Sequence, residues 1–458
     1  MVTPLLARRI RWALLHDGRP RDSAWRDILR ARPEAVPGIL ERHGLTLVRQ
    51  FDQARQSLFL VECPDDDDDG DGDDGDDDGC SESLIAAVQA DPDVEGFEPN
   101  EDIEAPEVPQ GLPIQAPSGE AGQALSDRAT VPYYGADAWH AYVAQSAASI
   151  IKLSDAQQSL ATGAGTVAVI DTGVDPNHPV FGSSLTTGFD FTRNLVGPPS
   201  EMNDLDQSTA AILEQSTAAI LEQKAAVVVN QSTAAILEGS AATRLDPAKL
   251  PAGFGHGTMV AGLVRLVAPT ATIMPLKAFK ADGTSTLFDM LRAIYYAVEN
   301  GADVINMSFS LPESSPELQR AITFATDRGA VMVASVGNRG TTTAVYPAAF
   351  PEVLGIASTN AQDVRSVFSN YGTPLVSLAA PGEAVITLYP GGNYAAVSGT
   401  SFSTALVSGG VALLQQIDPG LTQSGAAASL SQAVPLGPEL GAGRLDLYRA
   451  LVHRAQSK

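Results

Sequence analysis

The sequence predicts an α/β fold: a parallel sheet with helices on both faces, preceded by a small α+β unit. Two observations predict it. From about Val131 onward, short and nearly unbroken apolar runs alternate with amphipathic helical segments. That is the pattern of strands buried on both faces and joined by crossover helices. Before that region, strand-like and helical segments follow a different spacing, and a stretch rich in Pro, Gly, Ala and Ser sets them apart.

Taken in chain order, residues 1–40 read as a basic, helical N-terminal extension with Trp12 and Trp25 as apolar anchors. Residues 41–104 read as the small α+β unit. "LTLVRQF" and "SLFLVEC" have strand composition, "ESLIAAVQ" is a short amphipathic helix, and "EGFEPN" is a further strand. An Asp-rich insertion at 64–79 interrupts this unit, and 105–130 reads as an exposed linker. The main domain spans 131–452. Its strands are "GTVAVID", "DVINMSFS", "AVMVASVGN" and "EVLGIAST". Between them, "STLFDMLRAIYYAVENG" places Leu287, Met290, Leu291, Ile294 and Val298 on one helical face. "SPELQRAITFATDRG" carries Ser315 as N-cap, Pro316 at the first helical position and Gly329 as its stop. In such a fold ligands gather at the carboxyl ends of the strands.

An insertion at about 201–250 contains four consecutive octapeptides, "QSTAAILE QSTAAILE QKAAVVVN QSTAAILE", three of them identical. Their Ala, Leu, Glu and Gln favour helix. In a helix each eight-residue unit turns the apolar block by about 80°, so no face stays apolar, whereas in a strand the even period keeps each residue type on one side. The composition tips the expectation towards helix in a surface insertion.

Charge narrows the partners. The 458 residues carry a formal net charge of −25, and eleven aspartates between Asp65 and Asp78 supply much of it. Such a surface repels phosphate, so neither nucleic acid nor an anionic membrane is an expected partner, and no segment has the length and apolarity of a membrane span. The acidic run reads as a solvated loop, with weak structural calcium binding as its second reading, because it lacks a closing bidentate Glu. Cys63 and Cys80 bracket it; they form a disulfide in an oxidising compartment and stay thiols in a reducing one. The N-terminus has no apolar core of signal-peptide length, which points to the cytoplasm.

Four polar residues stand at strand ends and helix starts. Asp171 ends "VAVID", His256 opens the helix after "GFG", Asn338 follows "VMVASVG", and Ser401 begins the helix "FSTALVSGG". Each alone has a structural explanation: a turn aspartate, a surface histidine, an Asx turn, a helix cap. Together they are the set that acyl transfer needs. A serine hydroxyl is a poor nucleophile without a base, an imidazole base needs an acid to fix its tautomer, and a tetrahedral intermediate needs donors to its oxyanion.

The blocks "VAVIDTGVD", "GHGTMVAG", "DVINMSFS", "ASVGN" and "SGTSFSTALVSGG" resemble the subtilisin-like serine proteases, with the same chain order of Asp, His and Ser. The resemblance implies a serine endopeptidase acting on polypeptides, with Asp171, His256 and Ser401 as triad and Asn338 as oxyanion donor. It implies substrate contacts at Ser308, Phe309, Ser310, Ser335 and Gly337, no metal in the site and no cofactor for the chemistry. "SESLIAAVQADPDVEGFEPNEDI" resembles the inhibitory propeptide of that family, which implies a zymogen inhibited by its own propeptide and cut within 105–130. The family is largely exported, against the missing signal. Three departures stand out. The 85 residues from Asp171 to His256 are long, the calcium loop after the histidine helix is missing, and Ser310 and Leu311 replace cleft glycines. The alternative is a catalytically silent relative that binds or assembles through the octapeptides and the acidic loop.

Overall fold

A computed structural model of the chain describes residues 26–51, 57–64, 80–104, 127, 129–205, 225–229, 234–238 and 250–458. The chain divides into two compact units, Met1–Asn100 and Glu101–Lys458.

The first unit contains strand β1 (Arg26–Ala31), helix α1 (Val36–His43), strands β2 (Thr46–Gln50) and β3 (Leu58–Glu62), helix α2 (Glu82–Gln89) and strand β4 (Val94–Pro99). The sheet order is β2-β3-β1-β4, with every pairing antiparallel. Leu29, Ala31, Phe59, Val61 and Phe97 alternate onto one face and meet Val36, Ile39, Ile85 and Val88 of the helices. Ser81 caps α2 by accepting from the Leu84 N–H.

The helical extension at 1–40 is corrected here. Residues 26–31 form β1, which lies between β3 and β4. "RDILRA" suits either period, and pairing on both edges decides for the strand. Trp12 and Trp25 lie outside the described residues, as do the acidic run and residues 105–126. Cys63 and Cys80 are joined in a disulfide, with Cα atoms 5.3 Å apart.

In the second unit, strand β5 (Asp102–Glu104), an antiparallel pair of short strands (Thr130–Tyr133 and Ala136–Trp139) and three short helices (His140–Val143, Ser146–Ile150 and Leu153–Ser159) come before β6 (Thr166–Asp171), β7 (Phe189–Asp190), β8 (Leu195–Val196), β9 (Ala225–Val229) and β10 (Ala234–Glu238). Next come helix α3 (His256–Val267), strands β11 (Thr272–Lys277) and β12 (Thr284–Thr286), helix α4 (Leu287–Glu299), strand β13 (Val304–Met307), helix α5 (Pro316–Asp327) and strand β14 (Val331–Ser335). Strands β15 (Leu354–Thr359), β16 (Leu378–Pro381), β17 (Val385–Tyr389) and β18 (Asn393–Val397) precede helix α6 (Thr400–Ile417).

The main sheet runs β8-β7-β11-β6-β13-β14-β15-β16, and all its pairs are parallel except β7–β8. The strands β13, β14, β15 and β16 are buried at every residue. This is the burial that their unbroken apolar composition anticipates. Helix α6 is buried from Thr400 to Gln415, packing on α3 and on β13, β14 and β15. Ser315 caps α5 by accepting from the Leu318 N–H, as its position before Pro316 predicts.

The octapeptide expectation is corrected for the residues described. β9 and β10 are antiparallel strands in a second sheet, β9-β10-β18-β17, not helix. β18 offers an open edge, and its pairing of Ala395 with Ile236 and Ala396 with Ala235 outweighs local helix propensity. The copies at 207–214 and 215–222 lie outside the described residues.

Candidate active site

β6 ends on Asp171, which is 2% exposed and faces Lys277 across the register with β11. Asp171 Oδ1 accepts from the Thr172 N–H at 2.7 Å and from His256 Nδ1 at 2.7 Å. His256 is the first residue of α3 and is itself 3% exposed. The helix reaches the strand end only because Gly257 follows: a Cβ there would stand 1.9 Å from the Gly173 carbonyl oxygen. With Nδ1 donating to the carboxylate, Nε2 is the ring atom that can take a proton.

Ser401 is the second residue of α6 and is wholly buried. It does not cap its helix. The N-cap position is Gly399, and the Ser401 hydroxyl donates to the Ser308 carbonyl at 3.4 Å. The ring of the next residue, Phe402, lies 5.7 Å from the His256 ring, so α6 brings Ser401 to the histidine side of the sheet. Asn338 lies three residues beyond the end of β14. Its Oδ1 accepts from both the backbone N–H and the hydroxyl of Thr400, each at 2.9 Å. Those two donors fix the amide's orientation and leave Nδ2 as the donor end.

The residues expected to meet substrate divide into two kinds. Ser308 exchanges hydrogen bonds with Ser401, its hydroxyl donating to the Ser401 carbonyl at 3.4 Å. Ser335 is wholly buried, and its hydroxyl has no partner among the described residues. Gly337 has φ 91°, and a Cβ there would meet Asn370 Nδ2 at 2.9 Å and Ser310 Oγ at 3.7 Å, so Ser310 and Gly337 line the same space. Phe309 packs its ring against Phe279, at 5.6 Å, so only its backbone can face a ligand. Leu311 is 2% exposed, and its backbone pairs with Tyr346.

Sequence reasoning missed the residues that hold this set in place. Lys277 is wholly buried and donates to the carbonyls of Thr172 and Phe279 and to Asp204. Burial pushes the Asp204 carboxyl up, and the Lys277 and Arg193 charges outweigh that, so it sits below its ordinary value. Glu201 is wholly buried behind Asp171 and His256, and burial pushes its carboxyl up to about 7. Nothing local in "PPSEMNDLD" marks either acid. Thr400 and Thr258, by contrast, lie inside the quoted motifs.

A model of the subtilase family matches residues 163–446, which span the acid, the histidine, the asparagine and the serine. This chain belongs to the subtilase family. The subtilase is 31% identical to thermitase of Thermoactinomyces vulgaris over 307 residues, 64% of this chain and 90% of thermitase. It is 36% identical to subtilisin BL of Lederbergia lenta over 176 residues, 36% of this chain and 65% of that one. An intracellular serine protease of Paenibacillus polymyxa is 29% identical over 291 residues, 59% of this chain and 74% of that one. The protein is therefore a subtilisin-like serine protease, and the family's chemistry needs no cofactor.

Calcium binding is common in the family. The grouping of three metal-ligating side chains among the described residues is Asp27, Cys63 and Cys80, two of them sulfurs joined in a disulfide. Among the same residues, no helix is long and apolar enough to cross a membrane.

Proposed function

We propose that this subtilase is a serine endopeptidase made as a self-inhibited zymogen. Ser401 is the nucleophile. His256 is the general base for its hydroxyl and then the general acid for the leaving amine. Asp171 holds the imidazole tautomer and stabilises the imidazolium. Asn338 Nδ2 and the Ser401 N–H donate to the oxyanion, helped by the positive end of α6. The observation that carries this reading is the buried Asp171 Oδ1–His256 Nδ1 hydrogen bond at 2.7 Å. It commits the imidazole to one tautomer in a site with little competing water.

The zymogen part rests on β5. Asp102–Glu104 lies antiparallel on β12, with Ile103 opposite Ser285 and 2% exposed. The Leu287 N–H donates to the Glu101 carbonyl, which extends the pairing. β12 belongs to the segment that leaves β11 beside the acid: the Ala278 and Phe279 N–H groups donate to the Asp171 carbonyl, and the Ala281 carbonyl accepts from Gly253. An added strand at such an edge is how an extended peptide is held. The sequence continues from it into 105–130, the stretch of the proposed cut.

Intact mass of the full chain beside Ser401→Ala, with and without calcium, tests both parts. Shortening of the wild type within 105–130, with the variant whole, is the expected result. Full-length mass for both, with no fluorophosphonate label on either, overturns the reading.

A further inference from the structure

We infer that Glu201 is a positioning residue for the Asp171–His256 pair, acting as the side-chain cap of α3 and tying that helix to the end of β6. The inference rests on the catalytic reading above.

The first N–H groups of a helix have no partner within it and need an acceptor when buried. The N-cap of α3 is Gly255, which has no side chain to offer. Glu201 takes over from 56 residues away in sequence. Its Oε1 accepts from the Gly257 N–H at 3.0 Å and the Thr258 N–H at 3.3 Å, and its Oε2 accepts from the Thr258 hydroxyl at 2.7 Å. A carboxylate at this helix end also meets the positive end of the helix dipole.

The same carboxylate reaches the acid's strand. Oε1 accepts from the Thr172 hydroxyl at 2.6 Å, and the Thr172 N–H donates to Asp171 Oδ1 at 2.7 Å. Glu201 thus holds the residue after Asp171 and the two residues after His256. Both partners of the 2.7 Å hydrogen bond are fixed through their chain neighbours by one wholly buried group. Thr172 is held from its other side as well, its carbonyl accepting from Lys277 Nζ at 2.7 Å.

Glu201 itself is locked. It opens a single 3₁₀ turn, Glu201–Asp204, capped by the Ser200 hydroxyl. The turn's far end, Asp204, accepts from Lys277 Nζ and the Ala281 N–H, each at 2.7 Å. The octapeptides begin at Gln207, just after this turn, so along the chain the locked turn stands between Asp171 and the repeats.

A misplacement of about 1 Å at a reacting pair costs roughly 100-fold in rate. Glu201→Leu keeps the bulk and removes every acceptor. It is expected to lower kcat on fluorescein-labelled casein, and the rate of fluorophosphonate labelling, by roughly 10- to 100-fold, with KM within about two-fold. Glu201→Gln keeps an acceptor for Thr172 and Gly257 and can donate to the Thr258 hydroxyl, so it should recover most of that loss. Thr172→Val cuts only the strand half of the tie and should lower kcat in the same direction, which keeps the inference testable if Glu201→Leu fails to fold. Absence of labelling in the wild type removes this inference together with the catalytic reading. Labelling of the wild type at a rate that folded Glu201→Leu or Thr172→Val matches removes this inference alone.

Discussion

Replacing Glu201 with glutamine should change how stability depends on pH, and the size of the change follows from the carboxyl's surroundings. Burial pushes this carboxyl from 4.5 to about 7, and the nearby Asp171 charge adds to the rise. The hydroxyls of Thr172 and Thr258 and the charge of Lys277 oppose it without cancelling it. A shift of this size, at about 1.4 kcal/mol per unit, amounts to about 3 kcal/mol of differential stability between the protonated and ionised forms. The direction is set by linkage. Because the folded value lies above the unfolded one, the contribution is fully present below about 4.5 and is lost as pH rises towards 7. Above that, the ionised carboxylate carries a constant desolvation cost, and its charge adds to the burial that raises the Tyr389 hydroxyl. Glutamine fills the same space and cannot ionise. In a Ser401→Ala background, which prevents self-digestion, urea unfolding of the chain with and without Glu201→Gln should agree at about pH 4.5. The two should then diverge in favour of glutamine by up to about 3 kcal/mol by about pH 8. A gap of the same size at both pH values would mean that Glu201 does not titrate in the folded chain, and the burial argument would fall.

Two further outcomes are expected. On the proposed oxyanion role, Asn338→Ala should lower kcat by about 10²–10³ with little change in KM, because such a donor acts on charge that develops only in the transition state; steady-state kinetics on casein measure it, and an equal rise in KM with kcat intact would assign Asn338 to substrate binding instead. In the first unit, the Asp91 carboxyl is held down to about 2 by the Asp93 N–H and by His43 and Arg42. That stabilisation is present above about 3.8 and lost as pH falls towards 2, so the protection of the Leu29 and Ile39 amides against hydrogen exchange, relative to their intrinsic rates at each pH, should fall over that range and should lose that dependence in Asp91→Asn.

The candidate site was legible where a residue's chemistry and its local pattern coincide. Asp171 closes an apolar run, His256 and Ser401 open small-residue helices, and Asn338 follows a buried strand. A strand end and a helix start are local properties, so in a parallel sheet they already predict that the four residues gather at the carboxyl ends of its strands. Gly257 lies inside the quoted block "GHGTMVAG", and only the packed strand end shows why a side chain is excluded there. Three things were not legible. "RDILRA" fits a helix or a strand, and "AAILE" favours helix by composition; each became a strand because β3, β4 and β18 offered edges to pair. Glu201 carries no signal at all, since its partners are 29, 56 and 57 residues distant. By itself the sequence determined the α/β class, the run of buried strands and the four polar residues at their ends, because hydrophobic periodicity and capping chemistry act over a few residues. Only the tertiary structure decided which edges were paired, that Ser401 binds Ser308 rather than capping its helix, and that a distant glutamate caps the histidine helix, because open sheet edges and buried unpartnered N–H groups exist only once the chain has packed.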